Sequence, residues 1–175
     1  ELEADLNTPM NHGATPALIA AMRGHVEVMR LLAELGANVD TPNNDGVTPA
    51  FIAAEKGHVE VVRLLAELGA NVETPMNNGT TPASAAAYIG HLEMVRLLAE
   101  LGANVETPDN DGGPPAVRAA GPGHLEVVRL LAELGANVET PMNNGDTPLL
   151  ISAHRSNFET SQTLLLLGAP LTARD

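Results

Sequence analysis

Leucine and valine fall at helical spacing in one stretch that keeps returning along the chain. Val62–Pro75 reads VRLLAELGANVETP and recurs unchanged as Val95–Pro108 and Val128–Pro141; Met29–Pro42 differs only in Met29 and Asp40. The step is 33 residues each time. A fixed step of that size predicts stacked small units, not one globule around a single centre. Leu64, Leu65 and Leu68 mark the apolar side of a helix, Gly69 its left-handed stop, and Pro75 a bar to continuation.

A second helix is predicted ahead of each such block. In the first unit, Thr15-Pro16 is a start signal, a hydroxyl cap followed by proline at the first helical position. Ala17, Ala20 and Ala21 follow, and Gly24 ends the element. The longer helix then runs from about His25 to Leu35, with stripe Val28, Leu31, Leu32 and Leu35, and with Arg30 able to pair with Glu34. Turns at Asn11-His12-Gly13, Asn44-Asp45-Gly46 and Asn77-Asn78-Gly79 predict tight hairpin tips with positive φ between extended arms.

The boundaries that follow are a partial unit at 1–9, repeats at 10–42, 43–75, 76–108 and 109–141, and a C-terminal capping repeat at 142–175, all in one elongated domain over 1–175. In the fourth repeat Pro114 replaces the capping Thr, and Gly121-Pro122 predicts a shortened first helix. In the last, Thr160, Ser161 and Gln162 predict a polar outer face. Residues 1–9 read as the tail of a unit, which predicts an array cut before its first full repeat, with an apolar upstream face. A monomer is expected, with weak self-association through that uncapped N-terminal face.

Turn, Thr-Pro, a short helix with paired alanines, Gly-His, a longer helix with Leu-Leu, then Gly-Ala-Asn-Val, five times over, closely resembles the ankyrin repeat. The resemblance covers residues 3–170. It implies an all-α fold, an ankyrin-repeat solenoid of stacked helix-turn-helix units with hairpin loops. It also implies a non-enzymatic protein-binding scaffold that presents a rigid concave surface of first helices and hairpin tips to another protein. The family's Thr-Pro-Leu-His is not kept: its His position holds Leu18, Phe51, Ser84, Val117 and Leu150, which predicts less firmly tied loops.

The units differ from one another chiefly in the first helix and the residue after the turn glycine. Those positions supply the predicted contact residues: Ala14, Leu18, Met22 and Arg23; Val47, Phe51, Ile52, Glu55 and Lys56; Thr80, Ser84, Tyr88 and Ile89; Val117 and Arg118. Within a unit they are read as one outward helical face, opposite the near-constant alanines. Phe51, Tyr88 and Ile89 are the expected anchors, flanked by Arg23, Lys56 and Arg118, a composition suited to contact sites. The competing reading is surface that drifted after duplication, in a structural or consensus-like scaffold with no dedicated partner. Near-identical frameworks with focused variation suit an engineered library member and a recent natural duplication alike.

Composition narrows the partners. Twenty-two acidic against nine basic residues give −13, a field that repels phosphate backbones and anionic lipid, so neither nucleic acid nor membrane is an expected partner. There is no cysteine, which excludes disulfides and thiol chemistry. No cofactor, metal or catalytic residue is predicted. His25, His58, His91 and His124 recur once per unit, but helices stacked roughly 8–10 Å apart cannot bring them onto one zinc with bonds of about 2 Å; a local hydrogen bond at the helix junction is expected. Asp40, Glu73, Glu106 and Glu139 form a ladder expected to be solvated. Ser84, Ser152, Ser156 and Ser161 lack a nucleophile-elbow context. The localisation is unassigned, cytoplasmic being the expectation for a natural chain.

Overall fold

The computed structural model describes residues 6–168. Residues 1–5 of the partial unit and 169–175 of the last repeat lie outside them. Ten helices follow one another: α1 (Pro16–Arg23), α2 (Val26–Glu34), α3 (Pro49–Lys56), α4 (Val59–Glu67), α5 (Pro82–Ile89), α6 (Leu92–Glu100), α7 (Pro115–Ala120), α8 (Leu125–Glu133), α9 (Pro148–His154) and α10 (Phe158–Gly168). No strand forms among the described residues, so the arms expected to be extended close as turns instead. Each turn is pinned by a backbone bond across its tip, such as Asn43 N–H to Val47 C=O at 3.0 Å.

Local chemistry explains each boundary. The hydroxyls of Thr15, Thr48, Thr81 and Thr147 accept from the N–H three residues on, which starts α1, α3, α5 and α9. The first helices of units one to three end on glycines with left-handed φ, for example Gly57 at 74°. In unit four the hydroxyl cap is absent and the Pro114 carbonyl takes the Val117 N–H at 3.0 Å. Pro122 has no N–H to extend the ladder, so α7 has 6 residues where α5 has 8.

Odd-numbered helices pack side by side in one row, and each leans on its own even-numbered partner. The odd row is built on alanine: Ala17, Ala20, Ala21 and their counterparts in the next three units are at most 3% exposed. The even helices contribute Met29, Leu65, Leu98 and Leu131, all buried. This is the two-helix layer expected from the periodicity. Two expectations about it need correction. Among the described residues Arg30 and Glu34 form no ion pair; in the second helices the pair observed is Arg129–Glu126, three apart, at 3.7 Å. The last unit is not polar outside, since Thr160 and Thr163 turn inward while Phe158 and Leu166 are 76% and 78% exposed. Of the residues read as a polar face, Thr160 and Ser161 sit on the inward phase of the helix, and Gln162 alone of the three is exposed.

The histidines, expected to bond locally, instead reach back one unit. The Nε2 atoms of His58, His91 and His124 lie 3.1, 3.1 and 3.0 Å from the carbonyls of Met22, Glu55 and Tyr88. Each carbonyl belongs to the last turn of a first helix, where no intrahelical donor remains. In unit five Asn157 takes over, its Nδ2 donating to Gly121 C=O at 2.8 Å. The ring lies so close to the stop glycine that a Cβ on Gly57 would come within 3.0 Å of His91. The carboxylate ladder is likewise employed: Asp40, Glu73 and Glu106 accept the N–H of Asn71, Asn104 and Asn137 in the following unit.

Replacing His91 by Ala therefore strips a donor from a half-buried carbonyl and should lower unfolding free energy by about 1 kcal/mol. His25 makes no such bond among the described residues, so His25→Ala should be near neutral in the same urea titration.

Candidate protein-binding face

Each residue of a helix turns about 100° from the last. On α1 the alanines at 17, 20 and 21 define the buried side, and positions 19, 22 and 23 cluster opposite them. Position 18 falls on the flank, not on that opposite face. Its exposure shows what covers it. Leu18, Phe51, Ser84 and Val117 are at most 4% exposed, whereas Leu150, with no further unit described beyond it, is 56% exposed. The following unit therefore closes over this position.

Four predicted contact residues are thus corrected: Leu18, Phe51, Ser84 and Val117 pack between layers and do not project to a partner. Ala14, at the turn exit, is buried too. Met22, Val47, Ile52, Glu55 and Thr80 are half-buried, and Arg23, Lys56, Tyr88 and Ile89 are exposed. Tyr88 and Ile89 are 55% and 44% exposed, side by side at the end of α5. Lys56 pairs with Glu55 at 3.3 Å in an exposed contact.

Arg118 is corrected as well, for it is not a free basic contact. Its Nε donates to Asp109 Oδ2 at 2.7 Å, and its Nη2 donates to the same oxygen. The other oxygen, Oδ1, accepts the N–H groups of Asp111 and Gly113, both at 3.0 Å. Asp109 is 8% exposed, so a buried carboxylate is fully engaged by a guanidinium and two amides. Gly113 stands where other units carry Ala14, Val47 or Thr80, and a Cβ there would lie 2.9 Å from Arg118 Nη2. The unit-four residues Asp109, Gly113 and Arg118 are one arrangement. Asp109 is absent from the contact residues expected from sequence; the signal for it was an acid at a position where the other units carry Met10, Asn43, Met76 and Met142.

The hairpin tips form a second continuous row. Asn44, Asn77, Asn110 and Asn143 each donate from Nδ2 to the equivalent Asn11, Asn44, Asn77 and Asn110 carbonyl, at 3.5, 3.0, 3.3 and 3.1 Å. Backbone bonds between successive tips run alongside, such as Asn110 N–H to Asn78 C=O at 3.0 Å. Loose tips, the expectation from the missing Thr-Pro-Leu-His histidine, are therefore not found. The tips approach so closely that a Cβ on Gly79 would meet Asn110 Oδ1 at 2.5 Å.

Between this row and the first helices lies a cleft of ≈ 390 Å³. Phe51, Ser84 and Ala85 line it alongside Thr80, Tyr88 and Ile89, and Glu55, Asp109, Asp111 and Arg118 add the charge. Ser84 Oγ is buried with no hydrogen-bond partner. Among the described residues no group of three His, Asp or Glu side chains is placed to hold a metal, and no helix is long and apolar enough to cross a membrane.

A double-mutant cycle should separate the two ion pairs. Alanine at Asp109 and Arg118 should give a coupling of about 1–2 kcal/mol, and the exposed Glu55–Lys56 pair no more than about 0.5 kcal/mol. Equal couplings would mean the unit-four pair is ordinary surface charge.

Comparison with curated protein sequences finds no match. A family profile described as ankyrin repeats (3 copies) matches residues 2–75, 40–109, 71–142 and 108–175, overlapping windows that span nearly the whole chain. Ankyrin repeats are generally protein-binding scaffolds and typically non-catalytic. Paired helices at a 33-residue step, glycine-stopped and stacked through alanine, together with those matches, place this chain in the ankyrin repeat family.

Proposed function

We propose that the chain binds another protein through the exposed ends of its first helices and the hairpin tips beside them, without chemistry of its own. The observation that carries this reading is Tyr88 and Ile89. A tyrosine and an isoleucine half exposed at the rim of a cleft, in a chain with 2% aromatic residues, are the kind of anchors that dominate protein interfaces. The tips and helix ends are held by side-chain bonds from the next unit, so little ordering entropy is lost on contact. Arg23, Lys56, Met22, Ile52 and Thr80 border the same face. Variation focused there is what library diversification, or duplication followed by selection, would leave.

The family's general role also supports a partner protein over a role as scaffold alone. Weak self-association remains part of the proposal. Val28 and Leu31 on the upstream side of α2 are 46% and 53% exposed, against 1% and 4% for Val61 and Leu64 in the next unit. Such paired apolar residues can seat a second copy.

Three measurements test this. Tyr88→Ala with Ile89→Ala should weaken a partner captured from a binding screen by at least about tenfold, about 1.4 kcal/mol, with helicity unchanged. Phe51→Ala should instead cost about 3 kcal/mol of stability, because that ring is packed between layers. Undiminished binding in the Tyr88/Ile89 variant rejects this face. Light scattering should show mass rising with concentration, and less so in Leu31→Glu; a constant monomer mass rejects the self-association.

A further inference from the structure

The cleft between α3, α5 and the tips at 76–80 and 109–113 carries a chemical preference. Its lining holds three carboxylates, Glu55, Asp109 and Asp111, against the one guanidinium of Arg118. That guanidinium is committed to Asp109. Asp111 is left with a single contact to Arg118 at 3.8 Å and a side chain 81% exposed. Among the described residues Glu55 pairs with Lys56, which lies outside the lining. The potential in the cleft is therefore negative, within a chain that is itself at −13.

Two further features act together with the charge. The Tyr88 ring is half exposed at the rim, where an aromatic face attracts a cation within about 6 Å. Phe51, Ala85 and Ile89 give the remaining wall an apolar character. A volume of ≈ 390 Å³ is at the small end of ligand pockets, suited to a side chain or two and not to a folded element.

We infer that this cleft receives a lysine or arginine side chain of the partner, presented next to an apolar residue that rests on Tyr88 and Ile89. An acidic side chain or a phosphate would face the Asp109 and Asp111 carboxylates, with the lining's Arg118 already committed to Asp109. A purely apolar side chain would offer no counter-charge to the exposed Asp111 carboxylate. The inference rests on the protein-binding reading above and specifies which partner chemistry that face selects.

A displayed library of random 12-residue peptides, selected on the native chain, provides the probe. The expected result is enrichment of peptides with Lys or Arg beside an apolar residue. Their Kd should rise at least fivefold on the Glu55→Gln/Asp111→Asn chain, whose altered side chains are largely outside the packed layers, and should rise with added salt. Far-UV circular dichroism should show that chain folded like the native one. Enriched peptides that are acidic or uncharged, equal binding to both chains, or no enrichment at all overturns the inference. Peptides without a cation that are lost on Tyr88→Ala keep the binding face and remove only the cationic preference. Peptides indifferent to Tyr88→Ala remove both.

Discussion

Small side chains set the spacing of the array. The first helices of successive units approach through Ala17, Ala20, Ala21 and their equivalents, which have almost no accessible surface. No larger residue is repeated on that side in units one to four. With the first helices that close, hairpin tips come within reach of one another, histidine rings lie on the stop glycines of the preceding unit, and position 18 is covered. The individual bonds are modest, about 1 kcal/mol each. Their repetition once per unit gives a structure whose stability is a sum of near-identical interfaces.

The same spacing determines what is left for recognition. Helix positions opposite the alanines stay open, and the tips beside them are fixed by Asn-to-carbonyl bonds. Unit four shows how a departure is absorbed. A buried acid, Asp109, accepts two backbone amides and an arginine, and Gly113 leaves the room that the arginine needs. The result is a net negative cleft next to the exposed Tyr88, where an unvaried array would offer a uniform groove.

Much of the fold was legible because it is local chemistry repeated. Thr-Pro starts, glycine stops, alanine and leucine periodicity and the shortened α7 all follow from residues adjacent in sequence. What the sequence hid are contacts between units. His91 and the Glu55 carbonyl are 36 positions apart, and no local spacing rule pairs them. The histidines therefore read as local and the carboxylates of Asp40, Glu73 and Glu106 as solvated, although both tie one unit to the next. The contact face was half legible for a related reason. Variability marked Tyr88, Ile89, Arg23 and Lys56 correctly as outward residues, but it also marked Phe51 and Ser84. These vary because the space between layers is filled differently from unit to unit. Arg118 looked like a free cation until its partner nine residues earlier was in view.

The dependence on close stacking can be measured directly by urea unfolding of an Ala86→Leu chain. Ala86 is 0% exposed in the middle of the row. Close stacking predicts a loss of about 1–3 kcal/mol from forcing three extra carbons between layers, with a lower midpoint. A midpoint equal to that of the native chain would mean that the layers have room to spare, and would contradict the account of how the face and its cleft are held.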